Sequence, residues 1–168
     1  SGMKVVSAEF IDDLVQQAVA SPRGRQHHNL HADFAETVQR TFIAIEPDSY
    51  VRPHRHGLTP RTETMLAVRG LMALLVFDDA GEVTQVVRFG AGQIGEAQGA
   101  AVGVETPPGV WHSLLALEPG SAFIEIKAGP FDPDAPREFA AWAPEEGAQE
   151  VGVYLAMLRA CAKNYDRS

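Results

Sequence analysis

The sequence predicts an all-β domain with flanking helices, a sandwich or a barrel, and three observations carry that expectation. Seven short strand-like runs succeed one another through the middle of the chain at about ten-residue intervals. Gly, Pro or Asp punctuates them, as in Asp78-Asp79-Ala80-Gly81, Gly90-Ala91-Gly92, Pro107-Pro108-Gly109 and Glu118-Pro119-Gly120. No helical pattern of adequate length separates the runs, which argues against a doubly wound parallel sheet. At 168 residues the chain has the size of one domain.

Taken in order, Ser7 to Ala20 reads as a helix, because Phe10, Ile11, Leu14, Val15, Ala18 and Val19 recur on one helical face. Ser7 suits its N-cap, Glu9, Asp12 and Asp13 sit near the positive end of its dipole, and Ser21-Pro22 stops it. Arg23 to Asp33 is polar, rich in Arg and His, and reads as loop. Val38 to Ile45 fits a strand or a short helical turn. The strand-like runs are then Ser49 to His56, Glu63 to Val68, Leu71 to Phe77, Val83 to Phe89, Val102 to Thr106, His112 to Leu117 and Ala122 to Lys127. From Gly129 the chain turns acidic and Pro-rich, with Phe131, Phe139 and Trp142 to pack it down. Gln149 to Cys161 restores helical spacing through Val151, Tyr154, Leu155, Leu158 and Cys161.

Composition narrows the function. Hydrophobic residues make up 45% and charged residues 21%, an ordinary globular mixture. Fourteen Lys and Arg against 22 Asp and Glu give a net charge of −8, which argues against nucleic acid as partner. No apolar run approaches the roughly 20 residues that cross a bilayer, so no membrane partner is expected. Cys161 is the one cysteine, which excludes an intrachain disulfide and a Cys-rich zinc module. With no secretory leader in view, a reducing cytoplasm is the expected compartment.

The chemistry concentrates in Pro53-His54-Arg55-His56, Glu63 and Pro107-Pro108-Gly109-Val110-Trp111-His112. Residues two apart on a strand share a face, so His54 and His56 present both imidazoles to one side. Glu63 opens the next run within reach, and His112 brings a third imidazole just after a tight turn. Three neutral imidazoles and a carboxylate suit one divalent ion (Fe, Mn, Ni, Co or Zn). Arg52, two residues before His54, and Tyr50 are expected on the same face, to meet a substrate anion. Arg52 alternatively pairs with Glu125 or Glu105. Glu125 and Lys127 are read as lying on opposite faces of their strand.

These motifs resemble those of the cupin superfamily. His54-x-His56, Glu63 and Gly70 match its first motif, and Pro107-x-Gly109 with His112 match its second. Asp48, Ala101 and Ala116 stand where that pattern has Gly, Gly and Asn, and six residues separate His56 from Glu63. The whole chain further resembles the WbuC family of cupin-fold, RmlC-like metalloproteins. That likeness runs through Ser21-Pro22-Arg23 with Arg25, Asn29 and His31, Val38-Gln39-Arg40 and Tyr50 to His56. It continues through Phe77 to Gly81, Pro107 to His112, Glu118 to Gly120 and Lys127 to Pro133.

The resemblance implies a jelly-roll barrel (a double-stranded β-helix) with a metal on His54, His56, Glu63 and His112. It also implies a role in bacterial surface-polysaccharide (O-antigen) metabolism and a homodimer. The expected organisation is an N-terminal helix and basic loop over residues 1–45, a barrel over 46–130, and an acidic segment with a helix over 131–168. Arg23, Asn29 and His31 join Arg52 and Tyr50 as substrate-binding candidates, because guanidiniums grip phosphate or carboxylate in bidentate fashion. The expected ligand is a small carbohydrate-derived or anionic carbonyl compound, with isomerisation or epimerisation as the first expectation. An Fe(II)-dependent dioxygenase and a non-catalytic sugar-binding or regulatory module are the rivals.

Overall fold

A computed structural model describes residues 2–56, 61–135 and 137–165; residues 57–60, which form most of the His56–Glu63 connection, lie outside the described residues. The elements in chain order are α1 (Ala8–Ala20), β1 (Arg25–Asn29), β2 (Val38–Ile45), β3 (His54–Arg55), β4 (Glu63–Phe77) and β5 (Val83–Ala91). Next come α2 (Gly92–Ala97), β6 (Gly103–Thr106), β7 (Trp111–Ala116), β8 (Ser121–Ala128), β9 (Glu138–Phe139) and α3 (Val151–Asn164). None of the described helices is long and apolar enough to cross a membrane.

The strands form a curled antiparallel half-barrel in the order β1-β2-β8-β4-β7-β3-β9, with β5 and β6 also paired to β4. The expected all-β fold with flanking helices is what the chain adopts. β4 makes the curl. Its first half pairs with β8 and β6, from Glu63↔Lys127 and Glu63↔Thr106 onward. Its second half pairs with β5 and β7, as in Leu74↔Val87 and Leu74↔Leu114. The sequence reads two strands, Glu63 to Val68 and Leu71 to Phe77, where the chain makes one of 15 residues. The punctuation at Arg69-Gly70 is a bend within it: the register slips between Ala67 and Arg69, and Gly70 takes φ +80. There Leu71 N–H donates to Ser121 Oγ at 3.1 Å, and the Ser121 hydroxyl donates to the Glu118 carbonyl at 2.7 Å.

Alternation along the strands fills three apolar layers. Ile43, Met65, Met72, Leu74, Leu114 and Phe123 point between the two halves of the curl. Phe42, Ala44 and Ala122 point the other way and receive Ile11, Leu14 and Val15 of α1. Ala73, Leu75 and Leu115 likewise receive Leu155 and Leu158 of α3, with Trp111 and Tyr50 beside them. The strands are hydrophobic on both faces because both faces are covered. Helix α1 is capped as expected, with Phe10 N–H donating to Ser7 Oγ at 3.1 Å.

Four local readings change. Arg25–Asn29 is not loop but a strand paired to β2, and Val38–Ile45 settles as strand. Of Ser49 to His56 only His54–Arg55 is strand, because Pro53 has no N–H to give a ladder. Gly92–Ala97 forms a short helix where the sequence reads only a turn.

Gly70 gives the fold's first test. A Cβ there would stand 2.3 Å from Ser121 Oγ and 2.8 Å from Ser121 Cα, on a backbone of φ +80. Gly70→Ala should destabilise the protein by about 2 kcal/mol or more in urea unfolding. A midpoint equal to wild type would show that β4 does not depend on this bend.

Candidate metal centre

The curl encloses a cavity of about 360 Å³. The three histidines gather at its wall. His54 on β3 is the cross-strand partner of His112 on β7, and their rings lie 4.5 Å apart between centroids. His56 lies 5.5 Å from His54 and 6.1 Å from His112 by the same measure. One ring nitrogen from each falls within 4.8 Å of the others, the single such grouping of three among the described residues. Glu63, from the start of β4, lies with its Oε1 2.9 Å from His56 Nε2 and its Oε2 3.8 Å from His112 Nε2. His27, His28 and His31 make no second grouping of this kind.

Backbone carbonyls set how these imidazoles face. His54 Nδ1–H donates to the Arg52 carbonyl at 2.8 Å, and His112 Nδ1–H donates to the Val110 carbonyl at 3.0 Å. A carbonyl only accepts, so Nδ1 carries the proton in both rings and Nε2 keeps its lone pair. Metal-binding imidazoles are oriented by the same kind of bond. Burial lowers the proton affinity of His54 well below the usual imidazole range, with His112 adding to the effect. Burial lowers His112 as well, against the pull of the Val110 carbonyl and Glu63. Both rings are therefore neutral, as a ligand must be. Burial alone would raise the Glu63 carboxyl, but the hydrogen bond from His56, with the Lys127 charge adding to it, holds it down to about 2. It is an anion, and an anion beside three imidazoles is a donor set that fits a divalent ion.

The other candidates separate into two groups. Arg23, Asn29 and His31 line the cavity; Tyr50 and Arg52 do not. The backbone before Pro53 is not strand, so the alternation that would aim Arg52 with His54 fails, and Val51 faces the cavity in this stretch. Tyr50 lies in the layer under α3 and donates to the Pro144 carbonyl at 2.8 Å. Arg52 pairs with neither Glu125 nor Glu105. It donates to the Ala140 carbonyl at 3.1 Å and lies over the Phe139 ring. Asn29 accepts from the Thr41 hydroxyl at 2.9 Å, and buried His31 accepts at Nδ1 from Arg40 N–H at 2.9 Å. Arg23 is taken up by Glu146, donating to its two oxygens at 2.7 and 2.9 Å.

Residues outside the expected site also line the cavity: His27, Gln39, Glu125, Lys127, Phe131 and Arg137. Glu125 and Lys127 are expected on opposite faces, yet they are two apart on β8 and face inward together, 3.5 Å from each other. Period-two alternation is the signal that finds both. Arg137 has no such signal, since it sits in an irregular Pro-rich segment. Burial, and after it the cations Arg25, Arg23, Arg137 and Lys127, hold the His27 ring down to about 4.

Comparison with known proteins places this geometry. The model of a family described as a domain of unknown function (DUF6016) matches residues 6–89, half of the 168-residue chain. No curated protein sequence matches. Protein SO0799 from Shewanella oneidensis superposes with a TM-score of 0.56 at 14% identity, over 93% of this chain and 96% of its own. Oxalate oxidase superposes with a TM-score of 0.50 at 15% identity, over 88% of this chain and 76% of its own. KdgF from Halomonas sp. does so with a TM-score of 0.49 at 16% identity, over 68% and 86%. At such identities the first two likenesses establish the fold, a cupin jelly roll.

Two arginines that share Glu146 should behave differently when removed. Arg25, with its side chain 8% exposed, donates to Ser49 Oγ and the Tyr50 carbonyl, both at 3.1 Å. Arg25→Met strands these acceptors and should cost about 2–3 kcal/mol in urea unfolding. The Arg23 side chain is 55% exposed, and Arg23→Met should cost less than about 1 kcal/mol. Equal losses would contradict the structural role assigned to Arg25.

Proposed function

The chain belongs to the DUF6016 family, and from that premise we propose that it is a metal-binding cupin acting on a small carbohydrate-derived or anionic carbonyl compound. One observation carries the metal assignment: two buried, neutral imidazoles have their Nδ1 protons committed to carbonyls, next to a third imidazole and an ionised carboxylate. His54, His56, His112 and Glu63 would hold the ion. When bound there, a divalent metal supplies Lewis-acid polarisation of a carbonyl or hydroxyl oxygen.

The chain's own groups do the rest. The Arg52 and Val110 carbonyls fix two rings against rotation, and Glu63 contributes a negative charge that needs no proton removed near neutral pH. Met65, Leu114 and Phe123 in the cavity wall limit water there and strengthen every polar contact a ligand makes. The cations around His27 draw an anion in. The resemblance to the WbuC family supports a place in surface-polysaccharide metabolism, and with it a homodimer. The lone cysteine supports a reducing, cytoplasmic setting.

Elemental analysis of protein purified without affinity-metal resin tests the reading. Wild type should carry about one equivalent of a divalent metal, and His54→Ala and His112→Ala should each retain about a tenth of that or less while melting as folded proteins. A full complement in both variants would remove these imidazoles from the ligand set.

A further inference from the structure

The register of the inner strands grades the cavity from apolar to charged. Ile43 pairs with Phe123; Thr41 pairs with Glu125, which pairs with Met65; Gln39 pairs with Lys127, which pairs with Glu63. The wall therefore passes from aliphatic and aromatic to polar along β8, over about 13 Å of strand between Phe123 and Lys127. Ile45, Val51 and Leu114 extend the apolar end.

At the polar end the chain, acidic as a whole, presents cations. Arg23 and Arg25 are engaged by Glu146. Lys127 and Arg137 are less committed. Lys127 has Glu125 at 3.5 Å, longer than a tight ion pair, and its ammonium lies over the Phe131 ring at 5.2 Å. Arg137 lines the cavity and makes no hydrogen bond or ion pair among the described residues.

We propose that the cavity binds a small organic carboxylate with an apolar body, the carboxylate held by Arg137 and Lys127 and the body laid on the wall of Ile43, Met65, Leu114 and Phe123. This rests on the reading of the cavity as a substrate site and narrows its ligand to the anionic carbonyl class. A guanidinium takes a carboxylate through two parallel N–H donors, and an ammonium adds a point charge. The apolar wall has no polar partners to give. Sugar hydroxyls placed against it lose their water without replacement, whereas an alkyl or aromatic group gains by the same burial.

Calorimetry with three probes tests the ligand class: ketoisocaproate (carboxylate, apolar body), threonate (carboxylate, polyol body) and hexanediol (apolar body, no charge). Each is titrated into the protein as purified and again after chelator treatment. Ketoisocaproate should bind, threonate about tenfold more weakly or worse, and hexanediol not measurably. Arg137→Met and Lys127→Met should each weaken ketoisocaproate about tenfold or more while the variants stay folded with an unchanged metal content. No ketoisocaproate binding by wild type, a preference for threonate, or unchanged affinity in both variants would overturn the assignment. Should the protein carry no metal and still rank the probes in this order through Arg137 and Lys127, the metal reading fails and the carboxylate site stands.

Discussion

The bend of β4 at Gly70 lets one strand serve two sheets, and the cavity exists because it does. Before the bend, Glu63 and Met65 look inward from the sheet of β8 and β6; after it, Met72 and Leu74 look inward from the sheet of β7 and β5. Only a residue without a Cβ fits where Gly70 meets Ser121. The bend also sets which side chains confront one another. Glu63 reaches His56 and His112 where its own sheet has curled toward theirs.

Charge is sorted as carefully as hydrophobicity. The chain carries −8 overall, yet the cavity gathers Arg23, Arg25, Lys127 and Arg137. Glu146, from the segment after β9, pairs with the first two and ties that segment to the start of β1. Two of the four cations are thus paired within the chain, and two are less committed. The bidentate fork of Arg23, which its sequence context offers to a substrate anion, is engaged by a carboxylate of the chain.

Period and punctuation make much of this fold legible in the sequence. A two-residue spacing and a tight turn reveal His54 and His112, and apolar faces reveal the helices. The strand Arg25–Asn29 escapes such a reading because its composition is polar; it is a strand through its ladder to β2, not through an apolar stripe. Arg52 departs from its expected place because alternation does not extend back across Pro53, where the strand has not yet begun. Glu125 and Lys127 are two apart on one strand, so alternation applied strictly puts them on one face, as the structure does. Arg137 is illegible, because the tertiary path of an irregular segment brings it to the cavity. The family match covers His54, His56 and Glu63, three of the four donors, and stops before His112, which the pairing of β3 with β7 brings to them.

The same carbonyl bonds that argue for a metal argue against a barrel that uses its histidines for proton transfer. A general acid or base works best with a proton affinity near the working pH and a proton free to move toward substrate. Burial has taken His54 well below that condition and lowers His112 as well, and their Nδ1 protons are committed to Arg52 and Val110. Each ring is left with one fixed lone pair. Two fixed lone pairs lie beside a third imidazole and a carboxylate held ionised. A cation satisfies all of them at once, and a proton can satisfy only one or two.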